Sequence, residues 1–154
     1  MKLSEFFWLS EFTRSQTATR HGIRNKPTKK HLQNLIAWAN NIGDPIRRRW
    51  GRTNITSGYR SHLLNSLIGG SNGSQHSKGE AGDFECEGGS NLEVAKWIRD
   101  NLIFDQLILE FWDGEDPYSG WIHCSYRDDG KNRGEVLQAI RRSGKTHYIR
   151  GLPE

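Results

Sequence analysis

Apolar residues recur at helical spacing through Leu32, Leu35, Ile36 and Ala39, behind Thr28 as a candidate N-cap. This pattern predicts a helix that Gly43 and Pro45 bring to an end. A second helical stretch, residues 91–102, turns Leu92, Ala95, Trp97 and Ile98 mostly inward behind a Ser90 or Asn91 cap, and a shorter helix is predicted over residues 61–68. Residues 55–57, 104–112 and 121–126 read as strands, the last two joined by a polar loop over residues 113–120. Residues 136–141 and 146–150, around Ser143-Gly144-Lys145, predict a final hairpin. The expected fold class is therefore α+β, with helices packed on a small, mainly antiparallel sheet.

The chain has 154 residues, one domain (1–154) by length, and a domain near this size buries roughly 70% of its unfolded surface. Mean hydropathy is −0.79, and no stretch approaches the roughly 20 apolar residues of a membrane helix. Residues 1–13 interleave Glu5 and Glu11 with Phe6, Phe7, Trp8, Leu9 and Phe12. They lack the uninterrupted apolar core and small-residue cleavage site of a signal peptide, so a protein made in the cytoplasm is expected. The net charge is +4, with Arg47-Arg48-Arg49 beside Trp50, and Arg141, Arg142, Lys145 and Arg150, as candidate phosphate contacts. Acidic residues are interspersed throughout, and a basic surface suits other anionic polymers equally well. No specific nucleic-acid partner is expected. Cys86 and Cys124 permit one disulfide, but in a reducing cytosol they are expected to be free core thiols.

The candidate chemistry lies in three blocks. His76 and Asp83 are separated by six residues, enough for a turn that returns both side chains to one point, and His123 follows forty residues later. Two imidazoles and one carboxylate are the shell that a catalytic Zn2+ takes, leaving one position open. His21, His31, His62 and His147 have no partners at ligand spacing. The acids at 113–116 lack EF-hand spacing, and the glycine-rich loop at 69–74 lacks the Gly-Lys-Ser/Thr of a phosphate loop.

These blocks, Ser57-Gly58-Tyr59-Arg60, Ser74-Gln75-His76 with Gly79, Ala81 and Asp83-Phe84, and Trp121-Ile122-His123, resemble the zinc D-Ala-D-Ala carboxypeptidases of peptidase family M15. The likeness runs from about Leu9 to about Tyr148 and looks closest to the small single-domain phage and bacterial branch. The resemblance implies a fold shared with the Hedgehog signalling domain, His76, Asp83 and His123 as zinc ligands, and peptidoglycan stem peptides as substrate. It implies that Arg60 binds a substrate carboxylate or sits beside the catalytic water, with Ser74 and Gln75 as further substrate contacts. Without a signal peptide, such an enzyme reaches the wall by phage-type release or as part of a virion.

Many members of the family place a glutamate three positions before the last histidine, where this chain has Gly120. Hairpin geometry offers a replacement. If Trp112 opposes Trp121, paired residue numbers sum to 233 and Glu110 lies directly opposite His123, on the same face. Glu110 is then the expected general base; an outward edge residue or a partner of His123 is the alternative, and a one-residue slip would turn it away. The expected function is a zinc peptidoglycan peptidase, carboxypeptidase or endopeptidase. The alternative is a catalytically silent zinc-binding module of the same fold, in a virion or on the cell wall.

Overall fold

A computed structural model describes residues 1–154. Strands β1 (Thr53–Ser57), β2 (Ala81–Cys86), β3 (Gln106–Glu110), β4 (Trp121–Ser125), β5 (Glu135–Arg142) and β6 (Lys145–Arg150) form one sheet in the order β1-β2-β4-β3-β5-β6. Only the β3–β5 pair is parallel, so the chain is α+β with a mainly antiparallel sheet. No helix is long and apolar enough to cross a membrane.

The helices are α1 (Leu9–Thr13), α2 (Gln16–Arg20), α3 (Lys29–Trp38), α4 (Asp44–Trp50), α5 (His62–Leu67) and α6 (Asn91–Asn101). The expected caps form. Thr28 Oγ1 accepts from the His31 amide at 3.2 Å. Ser90 accepts from the Glu93 amide at 3.1 Å while the Glu93 carboxylate accepts from the Ser90 amide at 3.2 Å, closing a capping box. Gly43 and Pro45 do not end the third helix as expected. A π-helical turn over Ala39–Gly43 leads straight into α4, with the Asp44 amide donating to Ala39 O across five residues. Pro45 stands in the first turn of α4, where its fixed φ suits the helix. Asp44 is buried because it accepts from Ser4 Oγ at 2.8 Å and from the amides of Glu5 and Phe6 at 3.2 and 3.3 Å. These bonds tie the N-terminal segment to α4.

Trp38 is fully buried at the centre of the core, and Phe7, Phe12 and Phe84 meet its ring edge-to-face at 5.4–6.3 Å. Its indole N–H donates to Cys124 O at 2.9 Å, which fastens it to β4. On β2 the ring lies against Gly82, where an added Cβ would sit 2.7 Å from Trp38 Cζ2. Side chains alternate along a strand. The face of β2 and β4 that carries Gly82, Phe84, Cys86, Ile122 and Cys124 therefore meets the helices, and the face that carries Asp83 and His123 looks the other way. Both cysteines are buried and free, and burial raises the Cys86 thiol to about 11 and the Cys124 thiol further. Cys124 is thus no nucleophile beside His123.

Trp38→Ala should destabilise the fold by about 3–5 kcal/mol, the range for deleting a buried large aromatic. Gly82→Ala should do so by about 1–3 kcal/mol through overpacking against that ring. Urea unfolding of the two variants beside the parent measures both losses.

Candidate functional site

His76 stands on a 3₁₀ turn, Gln75–Lys78. Ser74 caps this turn by accepting from the His76 amide at 3.2 Å, and Gly79, left-handed at φ 74°, ends it. The positive φ turns the chain sharply into β2, and Gly79 has no room for a side chain: a Cβ would lie 2.4 Å from His31 O. Asp83 follows on β2, directly opposite His123 on β4. The loop and the strand pair thus meet at one point.

His76 is 3% exposed and Asp83 9%. His76 Nδ1 lies 2.7 Å from Gly58 O. A carbonyl only accepts, so Nδ1 carries the proton and Nε2 presents its lone pair. That Nε2 is buried with no hydrogen-bond partner, and it faces Asp83 Oδ1 at 3.3 Å. Asp83 Oδ1 also lies 2.9 Å from His123 Nδ1. A lone pair facing a carboxylate inside a protein repels it unless a cation stands between them. A proton is the weaker candidate, because burial pushes the His76 imidazolium down, though Asp83 opposes this. A metal ion fits better. The three donor atoms lie within 4.8 Å of one another, and the 3.3 Å edge is about that of a tetrahedron with metal–ligand bonds of about 2.0–2.1 Å. Burial alone would push the Asp83 carboxyl up, but His76 and His123 outweigh it and hold the carboxyl well below the usual range. Asp83 is an anion, as a zinc ligand must be.

Around these three residues runs a cleft of about 910 Å³, lined almost wholly by polar side chains that include Arg60, Glu80, Glu110 and Arg133. Arg60 Nη2 lies 3.9 Å from Asp83 Oδ2, its Nη1 donates to Asn65 Oδ1 at 3.4 Å, and its buried Nε has no partner. Burial lowers its pKa against the pull of Asp83 and Glu110.

Glu110 faces the cleft, but not through the expected pairing. Observed partners sum to 231: Ile108 opposes His123, and Glu110 opposes Trp121. Phe111, at φ 58°, leaves the ladder, so Phe111 and Trp112 belong to the loop and not to β3. A shift of two residues preserves the face, and Glu110 becomes the diagonal neighbour of His123, still within reach for a long side chain. Burial first, then the Asp83 charge, raise its pKa, partly offset by His123. Gly120 is explained by the same turn. It has φ 67°, and an added Cβ would lie 1.9 Å from Glu110 O, so no glutamate can occupy that position here.

Ser74 and Gln75 both line the cleft, and their hydrogen bonds go to the protein. Gln75 Nε2 donates to Asp105 Oδ2 at 3.0 Å and to Glu80 Oε1 at 3.4 Å. Sequence reasoning missed Asp105. It is buried and accepts from the Arg133 amide, Nε and Nη2 at 2.9–3.0 Å, joining the His76 turn to the segment before β5. An acid isolated after Phe104 is the only signal the sequence offers for it.

The Gly58 carbonyl that orients His76 depends on glycine, because a Cβ at Gly58 would sit 2.6 Å from Phe12 Cα. Gly58→Ala should shift that carbonyl and weaken zinc binding by about 10–100-fold, as losses of a ligand's hydrogen-bond partner do. Competition with a chromogenic chelator measures the change.

Residues 5–125 match the family model described as Peptidase M15. No curated protein matches the chain significantly. The match spans every element from α1 to β4, including the turn and the strand pair that bring His76, Asp83 and His123 together. The chain therefore belongs to the peptidase M15 family, whose members are zinc-dependent peptidases.

Proposed function

We propose that this protein hydrolyses peptide bonds in the stem peptides of peptidoglycan, with His76, Asp83 and His123 as its zinc ligands, Glu110 as general base and Arg60 as a substrate-orienting residue. The observation that carries the reading is the unpartnered, buried Nε2 of His76, which faces a carboxylate inside a cleft that also holds a raised-pKa glutamate and an arginine with free donors.

A bound zinc ion supplies Lewis acidity, acidifying a water and polarising the scissile carbonyl. The Glu110 carboxylate takes a proton from the attacking water and gives it to the leaving amine nitrogen as the bond breaks. Its raised pKa suits both halves of this transfer, since a base too acidic would take the proton poorly. Arg60 offers a planar fork that pairs with a substrate carboxylate through two hydrogen bonds. Ser74, Gln75 and Asp105 hold the turn that carries His76.

Glu110→Gln keeps size and hydrogen bonding but removes the basic carboxylate. Its zinc content and melting temperature should match the parent while hydrolysis falls roughly 10²-fold or more, the scale of lost general-base catalysis. Mass spectrometry of defined muropeptides incubated with zinc-loaded parent and variant tests this, and the mass released names the bond. Parental rates in the variant would move the base to Glu80, the other glutamate lining the cleft, since Glu115 is exposed outside it. A zinc-loaded parent that cleaves nothing would make the protein a silent zinc-binding module.

Arg60→Ala should keep its zinc and lose most activity through a higher KM. Unchanged steady-state kinetics would return Arg60 to a structural role.

A further inference from the structure

The catalytic face of the sheet continues past the proposed base. Glu110 on β3 pairs with Ala139 on β5, and Ala139 pairs with Tyr148 on β6. Cross-strand partners share a face, so Glu110, Ala139 and Tyr148 form one row. The middle member, Ala139, is buried at 1% exposure, so the row has a closed floor between Glu110 and Tyr148. Tyr148 is 58% exposed yet lines the same cleft as Glu110 and His123. Every residue of β6 is exposed, so no other part of the fold covers the far end of the row. One side of the row is stiffened by aromatic contacts: the Arg141 guanidinium stacks on Phe111 at 5.2 Å, and Phe111 meets Trp121 at 5.4 Å. The matched residues end at 125, so β5 and β6 lie outside the matched span.

From β4 to β6 there are three strand spacings of about 4.8 Å, or about 14 Å, which an extended peptide covers in roughly four residues at about 3.3 Å each. We propose that Tyr148, presented by the β5–β6 hairpin, is a distal subsite that grips an extended peptide about four residues from the bond being cut. This inference rests on the peptidase reading above and gives it a substrate class: peptides long on one side of the scissile bond, in preference to dipeptides. The tyrosine ring suits the role, because it offers a broad apolar face with a polar tip and few rotamers to freeze.

The test uses the zinc-loaded full-length protein and stem peptides that share the bond cleaved by the parent, lengthened one residue at a time on either side. In the parent, kcat/KM should climb about tenfold when one side reaches roughly four residues, carried by KM, the scale of a single aromatic contact at a binding surface. Tyr148→Ala should lose most of that step, and Tyr148→Phe should retain it. Because the ring is exposed, both variants should melt with the parent. A parent with no length step, or a Tyr148→Ala variant with an equal step, would overturn the subsite while leaving the peptidase intact. A parent that cleaves no peptide at all would remove the peptidase reading, and this inference with it.

Discussion

The pairing of β2 with β4 over Trp38 is the constraint on which the site depends. The ladder sets Asp83 opposite His123, and the indole beneath the two strands fixes their height and tilt through its hydrogen bond to Cys124 O and its contact with Gly82. The same ring gathers Phe7 and Phe12 from the N-terminal segment. Phe12 in turn lies against Gly58, whose carbonyl orients His76. A single buried aromatic thus connects the core to all three donor groups, two through the strands and one through the N-terminus.

The electrostatics of the cleft reflect this rigidity. Burial raises the energy of every charge, yet Asp83 stays ionised because two imidazoles surround it, and Arg60 stays close although burial works against it. Without a cation, the His76 lone pair and the Asp83 oxygen repel each other at 3.3 Å, and only a well-packed frame keeps such groups together. Buried polar groups left unpaired are costly. A metal ion between the two groups would relieve that strain, and part of the folding energy invested in the frame would return as metal affinity.

The sheet is unequally covered. Its core face is packed by α3, the π-helical turn, α4 and α6, while the opposite face carries Glu110, His123 and Tyr148 and remains open along the cleft. Antiparallel sheets accommodate one solvated face, and here that face lines the cleft. Within the β5–β6 hairpin, β5 still packs Val136 against the core, whereas β6 lengthens the open face as an edge strand with every residue exposed.

Much of this was legible in the sequence. Thr28 and Ser90 announced their helices because capping is local chemistry, and the order of His76, Asp83 and His123 marked the donor set because ligand type and spacing are themselves sequence properties. Glu110 was placed on the right face, since alternation along a strand survives a two-residue error in register. The register itself was not legible. It depends on Phe111 taking a positive φ and on Gly120 packing against the Glu110 carbonyl, and neither has a side-chain pattern to betray it. The continuation of the third helix through Pro45 was hidden for a similar reason, because Asp44 is held by residues of the N-terminus about forty positions away. The clamp of Asp105 on Arg133 and Gln75, and the row from Glu110 to Tyr148, exist only because distant segments meet. The sequence by itself indicated α3, α5, α6 and five of the six strands, the donor chemistry and the family, but not α1, α2, α4 or β2, the strand that carries Asp83. The tertiary structure alone decided register, the orientation of His76 and the reach of the cleft, because each is set by contacts between segments that no local periodicity encodes.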